Sequence, residues 1–144
     1  MAGNPGLIVV GADGSPLSIG GLRWAARQAE STGSEIHVVT GFTIPVTVFV
    51  VPTYTDVDYA RDAQEMLDFT IAEAFGRNPP NTRVTAALVE ERPAQALTGV
   101  AATNNADLLV VGSHSQGDLP GMHLGSVAGY CAHHAPCPVL IFRD

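Results

Sequence analysis

Short runs of aliphatic residues alternate along this chain with longer segments whose apolar positions recur at helical spacing. Five aliphatic runs, which predict strands, cover residues 7–10, 35–42, 84–89, 108–111 and 139–142. Four amphipathic segments, which predict helices, cover residues 16–32, 56–77, 93–104 and 125–134. Ser15-Pro16 is typical of a helix start and Gly33 of a helix end. The predicted order of elements is therefore βαβαβαβαβ.

This alternation predicts an α/β fold. Strands that are apolar throughout and separated by helices are typical of a parallel sheet with helices on both faces. We expect a single domain over residues 1–144, built on an open five-stranded parallel sheet with right-handed crossovers. Ligands of such sheets bind beyond the carboxyl ends of the strands, where the strand order reverses. Three polar loops, residues 11–15, 40–43 and 112–124, should converge there.

The loop after the fourth predicted strand has the features of an anion site. It starts at Gly112, and the next predicted helix begins near Gly125-Ser126. The first N–H groups of a helix have no partner within the helix and lie at the positive end of its dipole, which favours phosphate. Ser126 adds a hydroxyl group. The loop contains neither a P-loop lysine motif nor G-x-G-x-x-G, and a passive strand-to-helix connection is the alternative.

Composition and charge exclude several classes of function. The net charge of −7 and pI near 5.0 argue against nucleic acid or an anionic membrane as a partner, since both are polyanions. The sequence has no apolar stretch of about 18 residues that could span a bilayer. Residues 1–5 contain no signal-peptide core, so we expect a soluble, cytoplasmic protein.

Several reactive side chains have structural interpretations. Asp13 precedes Gly14-Ser15 and is typical of a residue that caps its own turn. The histidines lack the spacing of metal ligands, so a metal site stays unknown, although His114 and His123 would add charge near a phosphate when protonated. Cys131 and Cys137 are most simply buried, reduced residues. The serines lack the G-x-S-x-G pattern of a hydrolase nucleophile.

The segment over residues 44–58 begins with a β-branched, apolar stretch, residues 44–52, which is bracketed by Pro45 and Pro52. We interpret it as an extended excursion rather than a central strand. A lid over a ligand, a contact between subunits and an ordinary loop packed on the core are all open.

The glycine loop resembles that of the universal stress protein family, in its nucleotide-binding branch. That branch carries G-x2-G-x9-G-[ST] after the fourth strand. Gly112 matches the first glycine, Gly125-Ser126 match the last pair, and Ser115 stands where the family has glycine. The opening residues 8–15 and the closing residues 135–141 are also similar to the family, so the resemblance covers essentially the whole chain.

The resemblance implies a Rossmann-like fold of the adenine nucleotide alpha hydrolase type that binds ATP, alone or with Mg²⁺. It implies a stress-response regulator or sensor, with at most weak ATP hydrolysis. The implied adenine and ribose end includes Asp13, and the implied phosphate end is the glycine loop. The ligand-binding residues that it implies, taken together, are Gly11, Ala12, Asp13, Val38, Val111, Gly112, Ser113, Ser115, Gly125, Ser126 and Val127.

The resemblance also implies a homodimer that pairs through the last strand, Val139–Phe142, because an apolar strand at a sheet edge favours pairing with a second copy. Three other functions are open. The first is a slow, metal-dependent ATPase, although the loop has no basic residue for phosphoryl transfer except histidine. The second is a nucleotide-free dimeric interaction module, if Ser115 closes the phosphate site. The third is a domain like those of electron-transfer flavoproteins.

Overall fold

The computed structural model describes residues 4–46, 54–115 and 123–144. All predicted elements are present, and their ends lie within two residues of the predicted ones. The five strands are β1 (Leu7–Gly11), β2 (Glu35–Gly41), β3 (Val84–Val89), β4 (Leu108–Gly112) and β5 (Val139–Phe142). The four helices are α1 (Pro16–Thr32), α2 (Asp56–Phe75), α3 (Pro93–Thr103) and α4 (Ser126–His134).

The strands form one parallel sheet in the order β3-β2-β1-β4-β5. From β1 the chain builds outward through β2 to β3, and then returns to the other side of β1 to add β4 and β5. The strand order therefore reverses between β1 and β4. This confirms the predicted α/β fold with an open five-stranded parallel sheet.

Each face of the sheet carries its own apolar core, because successive strand residues point to opposite sides. Val10 and Val38 pack on the face covered by α1 and α2. Val9 and Val39 pack on the opposite face, under α3 and α4. Burial on both faces explains why the central strands are aliphatic at every position.

The turn from β1 into α1 is fixed by side-chain capping. Ser15 is the N-cap residue, and its hydroxyl accepts a hydrogen bond from the Ser18 backbone N–H at 3.2 Å. Pro16 occupies the first helical turn, as predicted, and Gly33 ends the helix with φ +75°. These contacts set the start of α1 directly after the carboxyl end of β1.

The predicted excursion at residues 44–58 is described only in part, since residues 47–53 lie outside the described residues. Its last residues, from Asp56 onward, form the first turn of α2, which is closed by a capping box between Thr55 and Asp58. Val46, the last described residue before the gap, is 80 % exposed. Its roles as a lid or a subunit contact stay predictions.

Within residues 4–46, 54–115 and 123–144, none of the helices combines the length and the apolar character that crossing a bilayer requires.

Candidate functional site

A cavity of about 260 Å³ opens at the carboxyl edge of the sheet, above the point where β1 and β4 meet. The loops that follow β1 and β4 contribute to its lining, and so do the last residues of β2, Val39 to Gly41, so two of the three predicted loops and the start of the third converge here. Helices α1, α2, α3 and α4 also reach it, through Ser18, Met66, Leu97 and Val127 respectively. This is the place where open parallel sheets bind their ligands.

Seven of the predicted site residues line this cavity: Gly11, Ala12, Asp13, Val111, Gly112, Ser115 and Val127. Ser113, Gly125 and Ser126 lie beside it, at the end of β4 and the start of α4, but are not among its lining residues. The structure thus brings most of the predicted set to one cleft, whereas their contact with a ligand stays a prediction.

The placement of Val38 requires a correction. Its side chain is fully buried in the core on the α1 and α2 face, and it is not among the described residues that line the cavity. Val38 pairs with Val10 and therefore lies one level below the cavity, whereas Val39 pairs with Gly11, which lines it. The cavity residues of β2 are Val39, Thr40 and Gly41.

The loop after β1 is held rigidly in the cleft wall. One carboxylate oxygen of Asp13 accepts hydrogen bonds from the Ser15 backbone N–H at 2.9 Å and from the Ser15 hydroxyl. Gly14 has φ +79°, which glycine adopts at no steric cost, and its N–H donates to the Thr70 hydroxyl of α2 at 3.0 Å. Asp13 thus stabilises its own turn, as its sequence context predicts, and also lines the cavity.

A buried hydroxyl ties β2 to the same loop. Thr40 is 3 % exposed, and its hydroxyl donates to the Ala12 carbonyl at 2.8 Å. The Ala12 N–H donates to the Val39 carbonyl at 2.9 Å. These bonds extend the pairing of β1 and β2 past the end of the sheet, so the cleft floor is built from paired backbone.

The start of α4 is anchored to the end of β4. The Ser113 carbonyl accepts a hydrogen bond from the Gly125 N–H at 2.8 Å, and the Ser113 N–H donates to the Phe142 carbonyl at 2.8 Å. Gly125 is the N-cap residue of α4 and offers no side-chain cap to the first helical N–H groups. The positive end of this helix therefore lies beside the cleft, next to Val127.

Comparison with known proteins decides the family. The sequence matches the universal stress protein family over residues 6–143. The chain belongs to this family. The universal stress protein Rv2005c of Mycobacterium tuberculosis is 34 % identical over 140 residues, which are 95 % of this chain and 45 % of that protein. The present chain therefore spans about half the length of that relative.

Solved universal stress proteins have the same fold. One, in complex with cAMP, is 25 % identical with a TM-score of 0.62 and covers 96 % of both chains. Another, from Archaeoglobus fulgidus in complex with dAMP, is 20 % identical with a TM-score of 0.69 over 97 % of this chain and 98 % of its own. Their agreement with this structure confirms the predicted fold class.

The described part of the cleft lining contains few titratable side chains. Asp13 and His114 are the titratable residues in the described part of its lining, and no arginine contributes to that part. Burial lowers the pKa of His37, whose Nδ1 lies 2.6 Å from the Thr85 hydroxyl.

The two cysteines have the character of structural residues. Burial, with a smaller contribution from Cys137, raises the pKa of Cys131 to about 11. Burial also raises the pKa of Cys137, so both thiols resist ionisation at neutral pH. Neither is in a disulfide. Across the described ranges, His, Cys, Asp and Glu side chains form no group of three that would suit a metal ion.

The cleft residues that sequence patterns missed come mainly from helices. Met66 is on α2 and Leu97 on α3, and each belongs to an ordinary apolar helix face. Only their position over the carboxyl edge of the sheet makes them cleft residues. No local motif marks them, so tertiary structure was needed to find them.

Gly112, which the family resemblance places at the phosphate end, has a packing role that is visible in the structure. A Cβ atom at this position would lie 2.9 Å from the Leu17 Cβ and 3.3 Å from the His114 carbonyl oxygen. The missing side chain therefore lets β4 approach the first turn of α1. This contact stands whether or not a ligand is bound.

Replacing Gly112 tests that packing role. We expect Gly112→Ala to lower the free energy of unfolding by about 1–3 kcal/mol in the absence of any ligand, because the added methyl group overpacks against α1. Urea denaturation followed by circular dichroism measures it. Gly99→Ala is the matched control, because a Cβ there meets nothing within 4 Å. Unchanged stability in Gly112→Ala would leave ligand contact as the reason for this glycine.

Proposed function

We propose that this universal stress protein binds an adenine nucleotide, with ATP as its ligand, in the cleft above β1 and β4, and acts in the cytoplasm as a regulator or sensor. The observation that carries the proposal is the convergence of Asp13, Gly112, Ser115 and Val127 on one cavity at the reversal of strand order. Asp13 comes from the loop after β1, whereas the other three come from the end of β4, the loop after it and the first turn of α4, about 100 residues further along the chain.

The apolar part of the cleft suits a nucleobase. Met66 of α2 and Pro93 of α3 line it with side chains that are not buried, above the buried Val39 and Leu97, and they offer an apolar surface to a planar ring. Asp13 lies at the same end of β1 as Gly11 and Ala12. Its carboxylate is the group that we expect to accept a hydrogen bond from a ribose hydroxyl, while it keeps its bond to Ser15.

The start of α4 suits a phosphate group. Ser126 is exposed at the first position of the helix, directly after the N-cap residue Gly125. Backbone N–H groups at a helix start, together with the dipole, favour an anion. We expect the Ser126 hydroxyl and backbone N–H to donate to phosphate oxygens.

Ser115 is compatible with this proposal. Among the described residues, Asn105 is the non-glycine residue with a positive φ, so Ser115 needs no left-handed backbone. The side chain lies partly buried in the cleft lining. The change from the family's glycine therefore carries no backbone strain, and the serine hydroxyl adds a polar group to the phosphate end.

Solved relatives support a nucleotide as the ligand. Two solved universal stress proteins are in complex with cAMP and with dAMP, and each of these ligands contains an adenine base and a single phosphate. The choice of ATP, alone or with Mg²⁺, rests on the resemblance of the glycine loop to that of the nucleotide-binding branch of the family. A regulator agrees with the cleft chemistry better than an efficient ATPase, because efficient phosphoryl transfer commonly uses lysine or arginine and the described part of the lining contains neither.

A charge placed at the start of α4 tests the phosphate end. We expect Ser126→Glu to weaken ATP binding at least tenfold, since like charges about 5 Å apart cost on the order of 3 kcal/mol at an effective dielectric constant near 20. Adenosine binding should change little. The helix itself should stay stable, because a carboxylate is favourable at its N-terminus. Isothermal titration calorimetry with both ligands measures the difference.

Ala102→Glu is the matched control for charge. It adds the same negative charge to an exposed position near the end of α3, at the opposite edge of the sheet from the cleft. ATP affinity in this variant should equal that of the wild type. Equal losses in the two variants, or none in Ser126→Glu, would contradict phosphate binding at α4.

We also propose that two copies pair through β5. This strand is at the edge of the sheet, and among the described strands it pairs with β4 alone. Its four residues, Val139–Phe142, are apolar and only partly buried. An uncharged edge of this kind favours pairing with another strand.

The hydrogen-bond pattern of β5 allows a specific test of this dimer. The Leu109 N–H donates to the Pro138 carbonyl and the Ser113 N–H to the Phe142 carbonyl, so the alternation of a parallel ladder directs the Ile141 N–H away from β4. Ile141→Pro removes this outward donor and leaves the β4 ladder intact.

We expect sedimentation velocity at micromolar concentration to show a dimer for the wild type and a monomer for Ile141→Pro. Ile141→Ala loses similar side-chain packing but keeps the N–H, and it should still dimerise. A wild-type monomer, or loss of the dimer in Ile141→Ala alone, would rule out backbone pairing through β5.

A further inference from the structure

His114 is distinctive among the cleft residues because of its charge. In the described part of the cavity lining it is the side chain that can become positive, and Asp13 is the one that can be negative. The whole chain carries a net charge of −7, so its long-range field does not attract an anionic ligand. Any side-chain cation that the described lining offers to a phosphate therefore depends on this imidazole.

The position of the His114 ring is fixed by its neighbour. The Ser113 hydroxyl lies 3.1 Å from the His114 Nδ1. Ser113 is 4 % exposed, and its backbone is bonded on both sides, to Phe142 and to Gly125. The ring is thus held at the junction of β4 and the start of α4, where the phosphate end of the cleft is proposed. Ser113 is a positioning residue for His114.

We propose that His114 makes the affinity of this cleft for phosphate-bearing ligands depend on pH, by presenting a positive charge to the phosphate when the imidazole is protonated. This inference rests on the proposed function, since it assigns a regulatory residue to the same site. Only the protonated imidazole carries a positive charge, so the affinity should rise as the pH is lowered.

The direction of the effect follows from linkage. An anion near the ring favours the imidazolium form, so bound ligand raises the proton affinity of His114, and lower pH must strengthen binding in return. Asp13, from the loop after β1, is the charged group that faces the cleft with His114, and it opposes the anion at all pH values where it is ionised. The other described elements that line the cleft contribute uncharged residues, which are Val39 to Gly41 from β2, Ser18 from α1, Met66 from α2, Pro93 and Leu97 from α3, and Val127 from α4.

The test uses two ligands that differ in charge. Cyclic AMP keeps one negative charge between about pH 5.5 and about pH 8. A terminal phosphate monoester would itself titrate near pH 6, so its own change of charge would alter the measured affinity. Adenosine is the uncharged counterpart. Calorimetric titrations at about pH 5.5 and about pH 8 should show cyclic AMP binding about tenfold more tightly at the lower pH. Adenosine should bind equally at both.

Substitutions assign the effect to one residue. In His114→Gln the pH dependence for cyclic AMP should disappear, with adenosine binding retained as evidence of an intact cleft. His123→Gln is the matched control, because His123 is an exposed histidine of the same loop region and is not among the cavity-lining residues. It should keep the full tenfold change.

The possible outcomes separate the inference from the function on which it rests. If neither adenosine nor cyclic AMP binds, the proposed function fails and the inference fails with it. If both bind with affinities that are independent of pH, the inference alone is overturned. A pH dependence that survives in His114→Gln, or that disappears in His123→Gln, also overturns the assignment to His114.

Discussion

The parallel pairing of β1 with β4 is the contact on which the cleft depends. Ile8, Val9 and Val10 lie beside Leu108, Leu109 and Val110, and all are apolar. The chain leaves β1 for α1 on one face of the sheet and leaves β4 for α4 on the other. Because the two connections diverge, a crevice lies beyond the carboxyl ends of these strands, lined by residues of both connections. Burial of both sheet faces stabilises the walls of this crevice.

Several residues at the candidate site also make contacts that hold the fold together. Gly112 allows β4 to approach Leu17, while the neighbouring Ser113 bonds β5 and the start of α4. Asp13 closes its own turn and also lines the cavity. The walls of the cleft are therefore held in place by the fold's own hydrogen bonds, and the described part of its lining contains neither lysine nor arginine.

Much of the fold could be predicted from the sequence because local signals agreed with one another. The aliphatic runs of β1 and β4, the Ser15-Pro16 start of α1 and the Gly33 end each follow from short-range physics. Residues that directly follow strands, such as Asp13 and Ser115, could be placed in the cleft because strand ends converge in a parallel sheet.

The remainder of the site depends on three-dimensional contacts that no local pattern encodes. Val38 and Val39 are neighbouring valines of β2 whose side chains point to opposite faces of the sheet. Val39, which is paired with Gly11, is among the described residues that line the cavity, whereas Val38 is not. Met66 and Leu97 enter the cleft only through the way in which α2 and α3 cross the sheet.

The most direct test of nucleotide binding in this cleft is a titration of isotopically labelled protein with ATP and Mg²⁺, followed by the backbone amide signals in NMR spectra. The account predicts saturable shifts for Gly11, Asp13, Gly112 and Ser126, with the signals of Gly33 and Gly76, at the ends of α1 and α2, unchanged. Shifts confined to other surfaces, or no shifts at millimolar ATP, would contradict nucleotide binding in the cleft.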